Sequence, residues 1–143
     1  MVPELRNLEY TDRLKAMKLP SMYYRRDRGD MIECYKFTHN LYKSQSPFEM
    51  EGGHNTRTHS LKFKKHHLHS AVRRHFFSER AVNHWNALPK EVVHAPTLNT
   101  FKNRLDKHWQ AYYYNLEPVP TRRMLYTHED SEDDEDVQTV LQA

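Results

Sequence analysis

The chain is poor in the residues that several fold and function classes require. It has three glycines among 143 residues, too few for a turn-rich β-sandwich or for a Gly-rich phosphate loop. It has a single cysteine, Cys34, so no internal disulfide can form and no Cys-x-x-Cys metal pair exists; an intracellular, reducing compartment, nucleus or cytoplasm, is expected. No apolar run approaches the roughly 18 residues of a membrane span, and Met1–Arg6 has no apolar signal-type region, so no membrane association is expected. Hydrophobic side chains are scarce at 37% of residues, with a mean hydropathy of −1.00. The core must then rest on a few large side chains, and the nine Tyr, six Phe and two Trp supply them.

Charge of one sign is missing from one end. All 22 Lys and Arg precede residue 124, and residues 1–127 hold 12 of the 19 acids, a net of +10. Residues 128–143 hold the other seven acids and no Lys or Arg, a net of −7. A basic body followed by an acidic segment suggests a polyanion-binding surface with a solvated, disordered tail over 121–143.

The rest of the pattern is helical. Thr11 is placed to cap a short helix over 11–19, stopped by Pro20. Ser21 can cap a longer one over about 21–43, with Tyr24, Arg28, Met31, Ile32, Tyr35 and Leu41 or Tyr42 on one face. Gly29 inside it marks a kink or close packing. Residues 44–55 read as a linker or loop. Leu61 and Phe63 alternate with Lys62 and Lys64, which gives a short strand or an extended arm over 58–65. Ser78 can cap a helix holding Val82 and Trp85 and ended by Pro89. Thr97 can cap the most amphipathic segment, with Leu98, Phe101, Leu105, His108 or Trp109, and Tyr112 on its apolar stripe. The fold expected is mainly α, a small bundle of three to four helices with a possible short extended β arm: a basic domain over 1–120, then the acidic tail.

No reaction chemistry converges. A two-metal nuclease or polymerase needs paired carboxylates held at the metals, and the adjacent acids here, Glu129–Asp130 and Glu132 to Asp136, lie in the tail. Asp27 and Asp30 are expected to form local helix salt bridges with Arg25, Arg26 and Arg28, whose side chains should point mostly outward. Cys34 has no His one turn away and is expected to be a buried structural thiol. His66, His67 and His69 lack a second ligand pair at helical spacing and read as titratable surface residues. No cofactor, metal or small-molecule substrate is implied. The densest basic stretch runs from Arg57 to Arg80 with one acid, Glu79, and five interleaved histidines. Lys and Arg there can neutralise phosphates, and exposed rings can stack on unpaired bases, although Phe76, Phe77 and Trp85 are better core than stacking platforms. Candidate contacts to RNA or DNA are Arg57, Lys62, Lys64, Lys65, Arg73 and Arg74, with Arg25, Arg26 and Arg28 as a second patch.

Four blocks in order add specificity: Tyr23 to Glu33 (YYRRDRGDMIE), Thr56 to Lys62 (TRTHSLK), Phe76 to Pro89 (FFSERAVNHWNALP) and Leu98 to Asp106 (LNTFKNRLD). Together they resemble the C-terminal end of the reverse-transcriptase polyproteins of animal LINE-type (non-LTR) retrotransposons, especially the jockey and chicken-repeat groups, over roughly residues 3–120. The resemblance implies a fragment lying after the polymerase, either a degenerate insertion or a host gene built from one. That region is expected to help hold template RNA or target DNA, and a reverse-transcriptase domain is a further expected partner. The family's Tyr-x-Asp-Asp motif is absent, so its catalytic residues have no positions here and no enzyme activity is expected. The His-rich Lys65 to His69 run and the acidic tail depart from the family pattern. The alternative reading is a structural module built to dock on the missing polymerase.

Overall fold

The computed structural model describes residues 3–52, 58–67, 69–74 (71 and 74 by their backbone) and 76–120. The predicted disordered tail, 121–143, lies outside the described residues, as do Arg57 and the Arg74 side chain. The fold is mainly α, as the apolar spacing predicts. In chain order come a 3-10 turn (Pro3–Leu5), α1 (Tyr10–Met17), α2 (Met22–Thr38), α3 (Ala71–Arg74), α4 (Phe77–Ala87), α5 (Lys90–Val93), α6 (Leu98–His108) and a closing 3-10 turn (Gln110–Tyr112). Helix α2 lies against both α4 and α6, α3 against α4, and α5 against α6.

The helix ends follow local chemistry, with four departures from expectation. Helix α1 starts at Tyr10 with Glu9 before it, so Thr11 is not its cap. It ends ahead of Pro20 because Lys18 turns left-handed (φ 54°) and the Leu19 amide returns to the Leu14 carbonyl. Ser21 caps α2 as expected, its hydroxyl accepting from the Tyr24 amide. That helix stops at Thr38, short of 43, because Asn40 takes the left-handed conformation (φ 56°) and the Leu41 amide closes on the Lys36 carbonyl; Asn tolerates this geometry better than most residues. Leu41 and Tyr42 therefore leave the apolar face and are exposed. Helix α4 starts at Phe77, which puts Ser78 inside the first turn rather than at the cap. Thr97 caps α6, accepting from the Thr100 amide. Finally, α2 runs unbroken through Gly29, and a methyl group there would meet nothing within 4 Å, so neither a kink nor close packing explains it.

The core is an aromatic ladder. Phe48 stacks on Phe63 at 4.2 Å, Phe63 on Trp85 at 5.5 Å, Trp85 leans on Phe101 at 6.0 Å, and Phe101 stacks on Tyr35 at 4.5 Å. Each ring comes from a different segment, so the ladder fastens the arm, α4, α6 and α2 to one another. Burying such large rings contributes heavily to the apolar driving force in a chain this polar. Cys34 is fully buried on α2, and burial, followed by the nearby Asp30 and Glu33 charges, pushes its thiol well up. Trp85 is buried and Phe77 packs against the core, whereas Phe76 is exposed, contrary to its expected core position.

Candidate nucleic-acid interface

The arm over 58–65 is extended, and its partner lies in the segment read from sequence as a loop. The Glu51 amide donates to the Lys62 carbonyl and the Lys64 amide to the Glu49 carbonyl, each at 2.8 Å, around the antiparallel bridge Met50–Phe63. Helix α4 grips the arm from the other side. The Asn86 amide group donates to the Phe63 carbonyl and accepts from the Phe63 amide, both at 2.9 Å. The Trp85 indole donates to the Leu61 carbonyl at 2.8 Å, and His59 Nε2–H donates to the Trp85 carbonyl at 3.0 Å. The Trp-Asn pair thus supplies hydrogen bonds that a neighbouring strand would otherwise provide. With Phe63 turned into the core, period two sends Lys64 to the surface.

The predicted contacts divide into three groups. Lys64, Lys65 and Arg73 are exposed and Lys62 is half-exposed. Lys65 and Arg73 have no carboxylate within ion-pair distance among the described residues, while Lys64 lies 3.5 Å from exposed Glu49. Arg25 and Arg26 are exposed on the first turns of α2, with Arg26 over the Tyr23 ring at 5.6 Å and 3.5 Å from Asp27. Arg28 differs from expectation. Its Nε and Nη2 close on both oxygens of Asp106 in α6, at 2.6 and 3.0 Å, and the Tyr24 hydroxyl donates to the same carboxylate at 2.9 Å. The Asp106 hydrogen bond outweighs burial and raises the Arg28 pKa further. A guanidinium closed in this way is a tertiary tie and not an outward phosphate contact.

The expected local pairing is kept at Asp27, which Arg26 approaches at 3.5 Å, but both aspartates also make long-range ties. Asp30 receives Arg80 of α4 in a two-point contact at 2.7 and 2.9 Å. Buried Asp27 accepts from the Val119 amide at 2.8 Å, and the Val119 carbonyl receives His84 Nε2–H at 2.6 Å. One aspartate and one histidine so fasten the end of the helical domain between α2 and α4. Sequence spacing hid these partners because they lie 50 to 92 residues away.

The histidines spread out. His59 is buried, and burial pushes its pKa down, with the Trp85 carbonyl opposing and the Lys62 and His94 charges adding to the fall. His66 is exposed between Glu79 at 3.4 Å and Glu49 at 3.9 Å. The His67 and His69 rings meet at 4.9 Å. Among the described residues, no three His, Cys, Asp or Glu side chains are grouped to hold a metal ion, and no helix is long and apolar enough to cross a membrane.

Sequence reasoning missed one basic feature. An open groove of about 630 Å³ separates α5 from α6, lined by Pro89, Glu91, Val92, Arg104, Lys107 and His108. The sequence pattern offers His108 or Trp109 for the apolar stripe of α6 and gives Arg104 and Lys107 no role; Trp109 is the one buried, and His108 is exposed. The spacing 104, 107, 108, which places these three on one side of α6, was the available signal. No protein-family model, curated protein or solved structure matches this chain.

Proposed function

We propose that this chain is a non-catalytic accessory nucleic-acid-binding domain, of the kind expected after the polymerase in LINE-type retrotransposon polyproteins, working inside the cell in nucleus or cytoplasm. The observation that carries the reading is the division of its cations. The half-buried arginines Arg28 and Arg80 are closed on carboxylates, whereas the arm and α3 hold Lys65 and Arg73 at the surface with no acid partner among the described residues. Anchored by Trp85 and Asn86, the arm presents its lysines from a fixed backbone. Lys62, Lys64, Lys65, Arg73 and Arg74 are the phosphate contacts in this reading, with Arg57, Arg25 and Arg26 supporting them. Binding through phosphates is weakly selective for sequence and strongly dependent on salt.

Titration of the full chain with fluorescent single-stranded RNA and with duplex DNA of equal length, over ~50 to 300 mM salt, tests this. If about five phosphates are neutralised, log K falls with log salt at a slope near −4 to −5 on B-DNA. Charge reversal at Lys64, Lys65, Arg73 and Arg74 should abolish most of the binding. A folded variant that binds as before would falsify the reading.

One observation favours a second function, a module docked on a polymerase. Leu8, Tyr10, Met17, Leu19, Met22 and Tyr23, all within one short stretch, are large apolar side chains left exposed. In that case nucleic acid binding would be absent or insensitive to salt, and the chain would be poorly soluble alone.

A further inference from the structure

The α5–α6 groove holds an arginine that is positioned but not neutralised. Arg104 Nη1 donates to the Glu91 carbonyl at 2.7 Å, an acceptor in the one-turn helix α5, which has few intrahelical donors to satisfy it. A guanidinium carries five N–H donors, and the remaining ones make no hydrogen bond to a described residue. Nor does any carboxylate lie within 4 Å of Arg104 or Lys107 among the described residues. The contrast with Arg28 and Arg80, each closed on an aspartate, is one of kind: those two hold the fold, whereas Arg104 keeps a fixed fork with its charge uncompensated. Cations in the last turn of α6 also complement the helix dipole. That accounts for Lys107 and His108, but not for the tethering of Arg104 across the groove.

The groove's contents define its occupant. Its volume of about 630 Å³ lies in the range that takes a drug-sized molecule, room for an unstacked nucleotide. Pro89, backed by buried Val92, offers apolar surface to a ribose or base, Arg104 and Lys107 offer charge to phosphates, and the His108 ring can stack. Exposed Glu91 on the rim would repel the carboxylates of an acidic peptide, but can accept a hydrogen bond from a base amino group or a ribose hydroxyl. We propose that this groove is a second contact for single-stranded nucleic acid, with Arg104 and Lys107 on adjacent phosphates and Glu91 on a base or ribose donor. The inference rests on the nucleic-acid reading above and adds a strand preference to it.

The test uses the full chain, a fluorescein-labelled twelve-nucleotide oligouridine and a duplex DNA of the same length. Arg104→Gln/Lys107→Gln should weaken oligouridine binding by about fivefold or more and make its salt slope shallower by about 1.4, two phosphates at 0.7 each on a single strand. Duplex binding should be unchanged. If this variant binds oligouridine like the parent while reversal of Lys64, Lys65, Arg73 and Arg74 abolishes binding, the groove inference is overturned and the accessory-domain reading stands. If the parent chain binds neither nucleic acid, both fall together. A labelled oligoglutamate peptide captured in an Arg104- and Lys107-dependent way, with no such dependence for RNA, would assign the groove to an acidic protein instead and overturn the inference. Should the double variant fail to fold, photocrosslinking of 4-thiouridine RNA to the unaltered chain decides. Adducts on residues 89–92 or 104–108 are expected, and adducts confined elsewhere count against the groove.

Discussion

At the residue scale, two polar side chains stand in for absent strands. Asp27 holds the Val119 amide and Asn86 holds both backbone groups of Phe63. Removing such a partner strands a buried backbone group, at a cost of about 1 to 3 kcal/mol for each. Asn86→Ala should therefore lower stability by about 2 kcal/mol or more in urea unfolding, and amide exchange at Phe63 and Lys64 should accelerate beyond the global effect. Gly29 makes the opposite case. It lies inside α2 with open space where a Cβ would go, so Gly29→Ala should raise stability by about 0.5 to 1 kcal/mol, chiefly by restricting the unfolded chain. Thermal melts read that as a rise of several degrees. His59 brings pH into the fold. Its pKa is depressed in the native state, so the neutral form is favoured there. Its contribution is full above the unfolded value of about 6.5 and is lost as pH falls from there through the lower native value. Stability should decline below pH ~6.5 by at most about 1.4 kcal/mol per pH unit for this one proton. His59→Gln should be less stable at pH 7 and should flatten that slope; an unchanged slope would remove His59 as its source.

At the element scale, what was legible followed from local rules. The Ser21 and Thr97 caps, the apolar spacing of α6 as far as Leu105 and the stop before Pro89 depend on neighbours within a turn and appear as expected; α1 ends at Met17, two residues earlier than Pro20 requires, and α6 at His108, short of Tyr112. The alternation of Leu61 and Phe63 with lysines also located the arm, because period two is a local signal. Its partner at Glu49–Glu51 was not legible, since a single bridge leaves no alternation of its own. The one-turn helices α3 and α5 are too short to carry a period. Asn40 ended α2 early through a backbone conformation that its residue type permits but does not announce. The arginine at position 28 shows the same limit for the interface. Its charge was plain in the sequence, but its commitment to Asp106 depends on α2 crossing α6.

At the scale of the whole molecule, a polar chain is held together by a few interlocked side chains. The aromatic ladder joins segments far apart in sequence, and the two arginine–aspartate ties run across helix crossings, α2 to α4 and α2 to α6. This arrangement separates the cations that build the fold from those exposed with no acid partner among the described residues, a distinction composition alone cannot draw. It also argues for one cooperative unit, because both ties and the Phe101–Tyr35 rung of the ladder run through α2.

That cooperativity has a chemical reporter built into it. Cys34 is the only sulfhydryl, and it sits fully covered on the helix that every tie crosses. An aromatic disulfide reagent should leave the folded chain unmodified and react only during excursions that lift α2 away. The observed labelling rate then equals the reaction rate of a free thiol multiplied by the fraction of time spent open. If α2 leaves only when everything does, the logarithm of that rate should rise with urea on the slope of global unfolding. A rate indifferent to urea would instead reveal a private breathing motion of α2. With no second thiol to compete for the reagent or to close an internal disulfide, the single modification reports the open fraction of α2 alone, and the molecule carries a gauge of its own unfolding.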